Sequence, residues 1–212
     1  MRLIVLGPPG TGKGTQSRMI SEKFKVPHVS SGDILRENVA KKTDIGKKAE
    51  VFMRTGQLVP DNIVVKMMAE ILGKGKYRNF ILDGFPRTIN QAHELEHLTK
   101  IDLVIYLSSS EKVILERLSG RRTCSVCKAV FHIKNMPPKK EGICDKCGGR
   151  LIIREDDRPE TIRDRLKIYE ILSDPLVFFY SQKGLLREVN GDQPAEKIFS
   201  DIAAMLKKEK LA

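Results

Sequence analysis

Short apolar runs separated by amphipathic segments recur along the chain. The runs fall at residues 2–6, 27–30, 79–83, 102–107 and 186–191. Most are rich in Val, Ile and Leu, and the segments between them carry apolar residues at helical spacing. Continuous apolar runs of this kind are typical of parallel strands covered by helices on both faces. The pattern therefore predicts an α/β fold, a three-layer domain around a central five-stranded parallel sheet.

Two of the intervening helices have recognisable start and stop residues. One follows Pro60, and Gly73 and Gly75 are expected to end it. Its apolar residues, which share one helical face, are Ile63, Val64, Met67, Met68 and Ile71. The other begins after Ser110, a favourable N-cap, and ends at Gly120.

Two further helices are predicted towards the end of the sequence. Asp157, Pro159 and Glu160 are placed to cap and open a long helix. A last helix covers residues 194–210, where lysines complement the negative end of the helix dipole.

Residues 122–154 interrupt this rhythm and contain four cysteines in the pattern C-x2-C-x16-C-x2-C, namely Cys124, Cys127, Cys144 and Cys147. Two such knuckles can bring four thiolates to the corners of a tetrahedron, which predicts a small inserted zinc-ribbon-like subdomain. Four protein ligands leave no open position for water, so the Zn²⁺ would be structural. Iron in the same thiolate site and disulfides are the alternatives. His132 could in principle bind the metal, although four cysteines suffice.

The net charge of +11 makes an anionic partner expected, but charge alone does not separate nucleotides, nucleic acid and a membrane surface. The apolar runs are far shorter than the roughly 20 residues of a membrane helix, and no signal peptide is recognisable. We expect a cytoplasmic chain without a membrane partner.

The segment GPPGTGKGTQ, residues 7–16, lies between the first predicted strand and the first predicted helix. Its glycines allow successive backbone N–H groups to point inward, and the helix adds its positive end, which together predict a phosphate-binding pocket. Lys13 is expected to reach the β- and γ-phosphates of a nucleotide. The general loop pattern has a hydroxyl directly after the lysine. Here Gly14 follows Lys13, and the hydroxyl stands at Thr15.

This version of the loop resembles that of the adenylate kinases, and the resemblance covers essentially the whole chain. SSGDILR at 30–36, GQLVPDNIV at 56–64 and FILDGFPRTINQA at 80–92 are similar to segments of the same family. DGFPR is the signature of nucleoside monophosphate kinases, and the cysteine-bearing insertion resembles the lid of the zinc-bearing, long-lid type. The resemblance implies a P-loop kinase fold and reversible, Mg²⁺-dependent phosphoryl transfer from ATP to AMP, giving two ADP.

The resemblance also implies which residues act. For ATP these are Gly10, Thr11, Gly12, Lys13, Gly14, Thr15, Arg117, Arg121 and Gln193. For AMP they are Ser31, Gly32, Arg36, Leu58, Val59, Val64, Gly84, Arg87, Gln91, Arg154 and Arg165. The implied catalytic residues are Lys13, Asp83, Arg87, Arg121, Arg154 and Arg165. Asp83 would orient Mg²⁺ and its waters, and Asp156 and Asp157 would help to close the lid.

The same resemblance implies that the chain has three structural parts. They are a core P-loop domain of residues 1–29, 61–121 and 155–212, an AMP-binding flap of residues 30–60, and a zinc-binding lid of residues 122–154 over ATP. The attacking group in this reaction is an already anionic phosphate oxygen, so no general base is needed. What the chemistry needs is alignment of the substrates, fixed cations and exclusion of water.

Two alternatives remain at this stage. Another nucleoside monophosphate kinase could use UMP or CMP as acceptor, or GTP as donor. A zinc-ribbon nucleic-acid-binding ATPase belongs to a different class, but only Phe131 is available near the knuckles for base stacking. We therefore expect ATP, AMP and ADP as partners of a monomer, without nucleic acid. Arg2, Arg18 and Arg78 are expected to be surface charges, and His28, His93 and His97 ordinary structural or surface residues.

Overall fold

The computed structural model describes residues 1–73 and 77–211. The strands in this part of the chain are β1 (Arg2–Leu6), β2 (His28–Ser30), β3 (Phe80–Asp83), β4 (Leu103–Ser108), β5 (Arg121–Cys124), β6 (Val130–His132), β7 (Leu151–Ile152) and β8 (Leu186–Asn190). Five of them form one parallel sheet in the order β2-β3-β1-β4-β8. The predicted strands and the predicted α/β fold are confirmed.

The α-helices in the same part of the chain are α1 (Lys13–Phe24), α2 (Ser31–Ala40), α3 (Asp44–Arg54), α4 (Asp61–Leu72), α5 (Ile89–Leu98), α6 (Glu111–Ser119), α7 (Pro159–Gln182) and α8 (Ala195–Lys208). None of these described helices is both long enough and apolar enough to cross a bilayer.

Helices cover both faces of the central sheet, as the continuous apolar strands require. On one face, side chains of β1 and β4 pack with α4, α5 and α7. On the other face, the alternate side chains of β1 and β4 pack with α1 and α8. Ile4 belongs to the first cluster and Val5 to the second, and neither is exposed. The sheet thus holds the carboxyl ends of β1 and β3 side by side, with Val5 opposite Asp83.

The predicted boundaries of α4 and α6 agree with the structure. In α4, Met67 and Met68 are buried, and the helix ends before Gly73, whereas Gly75 lies outside the described residues. Helix α6 starts after Ser110 and ends before Gly120. The side chain of Ser110 makes no cap hydrogen bond, so only its position matches the prediction.

The capping arrangement predicted for α7 is wrong in one respect. Helix α7 does begin with Pro159, but Arg158 is the N-cap residue and no side chain caps the helix. Asp157 lies in a short 3-10 turn, and its carboxylate accepts hydrogen bonds from the guanidinium groups of Arg121 and Arg165. Bonds to charged donors are stronger than a bond to a cap N–H, which explains where this carboxylate points.

The cysteine-bearing insertion forms a small sheet of its own. Strand β5 pairs antiparallel with β6 and with β7, in the order β6-β5-β7. Its buried apolar cluster consists of Cys124, Ala129, Phe131, Cys144 and Leu151. The predicted zinc-ribbon-like subdomain is therefore present as a folded unit. Helices α2 and α3 pack against each other as a second inserted unit between β2 and α4.

Helices α2 and α3 approach each other closely at Gly46. A Cβ atom on Gly46 would lie only 2.1 Å from the carbonyl oxygen of Asn38 in α2. Real Cβ atoms do not come so close to backbone, so even a methyl group here would force the two helices apart.

We predict that Gly46→Ala lowers the free energy of unfolding by about 1–3 kcal/mol, the range for overpacked sites. For a chain of this size, each 1 kcal/mol corresponds to a Tm decrease of about 2–4 °C, measurable by differential scanning calorimetry. Glu50→Ala, at an exposed position of the same helix, is the matched control and should leave the Tm unchanged. A Gly46→Ala protein as stable as the control would contradict the close packing.

Candidate active site

A cleft of about 580 Å³ opens where the glycine loop, helix α2 and the small sheet meet. All residues predicted for ATP line it, together with Asp83 and Arg154. A second pocket, under α3 and α4, is lined by the remaining residues predicted for AMP, including Val59, Val64 and Gln91. The residues that line both pockets are Gly32, Arg36, Gly84, Arg87 and Arg165. Two binding spaces therefore adjoin at a group of arginines.

The glycine loop joins the end of β1 to the start of α1. Gly7, Gly10 and Gly12 have φ values of 139°, 89° and 96°, in the region that favours glycine. Gly14 lies beside Asp83, because a Cβ atom there would be 3.3 Å from the Asp83 Oδ2 atom. A larger residue after Lys13 would crowd that carboxylate, which gives a physical reason for glycine at this position.

The ammonium group of Lys13 donates hydrogen bonds of 2.7 Å to the carbonyl oxygens of Gly7 and Pro8. Burial lowers the pKa of Lys13 to about 7, and the positive charges of Arg87, Arg165 and Arg121 act in the same direction, whereas Asp83 opposes them. A lysine with this pKa is poised to gain a proton when an anion arrives.

Asp83 is the acidic group at the end of β3. Burial raises the pKa of such a carboxyl, but the hydrogen bond and charge of His28, together with Lys13, hold the pKa of Asp83 below its ordinary value. The Nε2 atom of His28 lies 3.3 Å from the Asp83 Oδ2 atom. His28 therefore belongs to the site, although the sequence analysis treats it as an ordinary residue. The sequence feature that could have indicated this role is the position of His28 in β2, the strand that pairs with β3.

The arginines are held in place by polar partners around the cleft. Arg121 pairs with Asp157, and Arg165 pairs with Asp156 at 3.0 Å. Three more arginines donate hydrogen bonds. Arg36 donates to Asp33 at 2.6 Å, Arg87 Nε to the Gly84 carbonyl at 2.8 Å, and Arg154 Nε to the Thr123 hydroxyl at 2.9 Å. Fixed guanidinium groups of this kind need no reorganisation when an anion binds.

The positive charge of the cleft exceeds what its own carboxylates neutralise. Burial lowers the pKa of Arg154 to about 9, and Arg36 and Arg121 lower it further. Burial also lowers the pKa of Arg165, even though Asp156 raises it. Arginine stays protonated in proteins, so the lowered pKa values mean that burial, and then repulsion from neighbouring cations, disfavour the guanidinium ions here, not that they lose a proton. A polyanion in the cleft would relieve this repulsion.

Arg117 and Gln193 lie at the far end of the cleft. The guanidinium of Arg117 donates to the carbonyl oxygens of Gly191 at 2.7 Å and Gln193 at 2.9 Å. It also lies 3.3 Å from the carbonyl oxygen of Thr11. Arg117 thus connects the loop before α8 to the glycine loop.

The cysteine-bearing insertion contributes cleft residues that sequence reasoning missed, namely Val130, Phe131, His132, Asn135 and Met136. The Nδ1 atom of His132 accepts backbone N–H groups of Lys134 and Asn135 at 3.1 and 3.0 Å. Its Nε2 atom must then carry the proton, and it lies 3.3 Å from the Glu116 carbonyl oxygen. Among the described residues, the candidate metal cluster contains cysteines and not His132.

Arg18 also lines the cleft, so its prediction as a simple surface charge is wrong. Its guanidinium donates to the carbonyl oxygen of Lys128 in the first cysteine knuckle at 3.2 Å, and it lies 3.6 Å from Asp33 in α2. Arg2, in contrast, pairs with Asp102 at 3.0 Å, away from the cleft. Helical spacing places Arg18 on the same face of α1 as Gly14 and Thr15, a signal that the sequence analysis did not use.

The four cysteines are free thiols whose Sγ atoms all lie within 4.8 Å of one another. Cys124 and Cys147 are 3.4 Å apart, and Cys127 and Cys144 are 3.5 Å apart. Tetrahedral zinc with Zn–S bonds of about 2.3 Å separates its sulfur atoms by about 3.8 Å, so the donor set fits this ion. Burial raises the pKa of Cys124, but the backbone N–H groups of Cys127 and Val126 and the neighbouring thiols lower it below its ordinary value, whereas the pKa of Cys127 is raised. One thiol of the cluster therefore ionises before the others, which favours metal binding.

Comparison with known proteins gives one consistent result. The family model described as adenylate kinase matches residues 5–185. An adenylate kinase of Caldicellulosiruptor saccharolyticus is 51% identical over 199 residues, covering 91% of this chain and 93% of that protein. An adenylate kinase of Archaeoglobus fulgidus is 46% identical over 99% of this chain and 100% of that protein. An adenylate kinase of Clostridium tetani is 43% identical over 97% of this chain and 98% of that protein.

The lowered pKa of Lys13 leads to a prediction about pH. Below pH 7 the free protein already carries the Lys13 proton, whereas above about pH 7 it does not. Phosphate groups favour the ammonium form, so binding of MgATP at pH 8 should take up a proton, and affinity should fall as the pH rises above 7. Calorimetric titration in two buffers of different ionisation enthalpy measures this uptake.

Lys13→Met is the control, because it removes the titrating group while keeping most of the side-chain volume. We expect it to show no proton uptake at pH 8 and a flatter dependence of affinity on pH. Equal proton uptake by both proteins would assign the effect to another group.

Proposed function

The chain belongs to the adenylate kinase family, whose reaction is reversible phosphoryl transfer from ATP to AMP to give two ADP, and we propose how the cleft divides this reaction among its residues. The observation that carries the proposal is the junction of two pockets at Arg36, Arg87 and Arg165. A phosphate bound from either side would meet the same cations. This is the arrangement that direct transfer between two nucleotides requires.

We assign the larger cleft to the donor. The loop from Gly10 to Thr15 surrounds the phosphates with backbone N–H groups at the start of α1, and Lys13 reaches towards the terminal phosphates. Arg117 and Gln193 lie at the end of the cleft where the adenosine would bind. Phe131 and His132, both largely buried, add apolar and ring surface to the wall of the cleft on the lid side.

We assign the second pocket to the acceptor. Leu58, Val59 and Val64 provide its apolar wall for a base, and Gln91 provides polar groups at the same end. Ser31, Gly32, Arg36, Gly84, Arg87, Arg154 and Arg165 lie on the side of the phosphate junction. The base of AMP would thus meet the apolar wall and the Gln91 amide, and its phosphate would meet the arginines.

In this proposal the protein positions the two nucleotides and neutralises the charge of their phosphates, and no residue acts as a general base. The acceptor phosphate is already an anionic nucleophile, and charge develops on the oxygens of the group in transit. Lys13, Arg87, Arg121, Arg154 and Arg165 surround the junction and stabilise that charge. Mg²⁺ would enter with ATP and neutralise phosphate oxygens, with Asp83 binding it through water. The ionised state of Asp83 and the space left by Gly14 suit this role.

Water is a competing acceptor, so the reaction needs a closed site. We propose that residues 122–154 cover the donor and that residues 30–60 cover the acceptor, around the core of residues 1–29, 61–121 and 155–212. Contacts that would assist closure are those of Asp157 with Arg121, and of Arg18 with the cysteine-bearing insertion and with helix α2. Movements of such lids limit turnover in many enzymes.

We also propose that Cys124, Cys127, Cys144 and Cys147 hold a structural Zn²⁺. The apolar cluster of this lid has too few members to stabilise a fold by itself. Binding of four thiolates would supply the missing stability, since metal binding energy becomes folding energy in such units.

The remaining expectations concern the binding partners of the protein and its location in the cell. We expect a monomer in the cytoplasm, where reduced thiols persist and nucleotides are abundant. Nucleic acid is not expected to bind, because Phe131, the aromatic residue nearest the knuckles, is only 8% exposed and packs in the lid cluster. A base-stacking surface needs exposed aromatic faces.

The proposal predicts the products and the effect of one arginine. With MgATP and AMP, the protein should form two ADP for each AMP consumed, without release of phosphate, as measured by chromatography. Arg165→Lys keeps the charge but loses the guanidinium fork towards Asp156, and it should lower kcat by about 100-fold or more.

The matched control is Arg163→Lys, an exposed position on the same helix, which should retain normal kcat. CMP, UMP, GMP and single-stranded DNA are tested in place of AMP. Phosphate release stimulated by DNA, or a fully active Arg165→Lys protein, would refute the assignment.

The zinc proposal predicts one metal ion per chain. Elemental analysis of the purified protein should give about one equivalent of zinc, and Cys144→Ser, at a buried ligand, should lose the metal and unfold at a lower temperature. Ser125→Ala, at an exposed position in the first knuckle, is the control. Iron in the metal analysis, or a metal-free protein of equal stability, would contradict a structural zinc site.

A further inference from the structure

We propose that Asp61 is a positioning residue that fixes the side-chain amide of Gln91 in the orientation that accepts a 6-aminopurine and rejects a 6-oxopurine. Asp61 does not line the acceptor pocket itself. The inference rests on the proposed function of that pocket as the binding site of a nucleoside monophosphate. It adds which residue determines whether the pocket accepts a 6-aminopurine or a 6-oxopurine.

Gln91 lies on the first turn of α5, and only 1% of its surface is exposed. Its Oε1 atom accepts the backbone N–H of Arg87 at 2.8 Å. Its Nε2 atom donates to the Oδ1 atom of Asp61 at 2.7 Å. The amide is thus held at both of its polar atoms.

The chemistry of the two partners determines which atom is oxygen and which is nitrogen. A backbone N–H can only donate a hydrogen bond, and an ionised carboxylate can only accept one. Rotating the amide by 180° would place N–H against N–H at Arg87 and oxygen against oxygen at Asp61. The repulsion with the carboxylate makes Asp61 the stricter of the two constraints.

Asp61 is itself held firmly. Its Oδ2 atom accepts the hydroxyl of Thr88 at 2.7 Å, and that hydroxyl accepts the backbone N–H of Gln91 at 3.2 Å. Since Thr88 is the N-cap of α5, the first residue of α4 is connected to the start of α5. The carboxylate has no freedom to follow a rotating amide.

Each polar atom of the Gln91 amide retains one hydrogen-bonding position. The oxygen can accept one more bond, and the nitrogen can donate one more. Adenine presents an N–H donor at position 6 beside a ring-nitrogen acceptor, and glutamine pairs with this pattern through two hydrogen bonds. A 6-oxopurine presents an oxygen at position 6, which would face the Gln91 oxygen. The fixed amide therefore distinguishes the two classes of base.

The test is the ratio of kcat/KM for AMP to kcat/KM for inosine monophosphate, with MgATP as donor. Asp61→Ala should lower this ratio by about tenfold or more, within the discrimination that a two-hydrogen-bond pair provides. Asp61→Asn should retain most of the ratio, because its oxygen can still accept from Gln91 while its amide nitrogen donates to Thr88. The KM for MgATP should not change in either variant.

A double-mutant cycle separates a role through Gln91 from a general structural effect. Gln91→Ala alone should lower the ratio, and adding Asp61→Ala to it should lower the ratio no further. Glu111→Ala, which removes an acidic residue from the first turn of α6, is the control for helix stability. If Asp61→Ala does not fold, Asp61→Ser replaces it, because a hydroxyl can donate or accept and does not impose one orientation.

The outcomes are distinct. A proportional loss for both acceptors in Asp61→Ala, or a further decrease of the ratio in the double variant, would overturn the role assigned to Asp61. An unmodified protein that phosphorylates neither acceptor would refute the proposed function instead.

Discussion

The burial of several positive charges in one cleft is the constraint on which the rest of the site depends. Lys13 and the arginines at 36, 87, 121, 154 and 165 line the same space, and burial strengthens every interaction among them. The protein tolerates this arrangement because Asp83, Asp156 and Asp157 neutralise part of the charge and because polar backbone atoms hold the side chains in place. What remains unneutralised matches the substrates, which are polyanions. In the proposed mechanism, this cost in stability is converted into binding and catalysis when both nucleotides are present.

The fold brings these groups together at the ends of parallel strands and in two inserted units, the cysteine-bearing insertion and the helix pair α2 and α3. The glycine loop and Asp83 follow adjacent strands of the sheet, so the sheet itself sets their distance. Arg121 and Arg154 enter from the base of the lid, and Arg36 enters from α2. In the proposed mechanism, closing either unit over a substrate also completes the set of cations, so that binding, exclusion of water and neutralisation of charge become one event.

Sequence reasoning identified the features that depend on local patterns. The apolar runs gave the strands, the glycine loop indicated a phosphate site, and the cysteine spacing predicted the cluster. It failed where function depends on contacts between distant residues. Arg18 and Lys128 are 110 positions apart, His28 and Asp83 are 55 apart, and Asp61 and Gln91 are 30 apart. Asp157 is a further example. Its position in the sequence suits a helix cap, but its carboxylate binds the guanidinium of Arg121, which lies far away in sequence. Such contacts are decided by tertiary geometry, which spacing along the chain does not encode.

The way the lid joins the core has a consequence for how this protein changes over evolutionary time. The outgoing strand β5 and the returning strand β7 lie side by side, with Thr123 opposite Ile152, so the whole insertion leaves and re-enters the core at one point. A segment attached through such a narrow neck is a module: it can be shortened, replaced or given a different internal support without altering the path of the chain elsewhere. Selection can therefore adjust the thermal tolerance of the lid separately from the chemistry of the core.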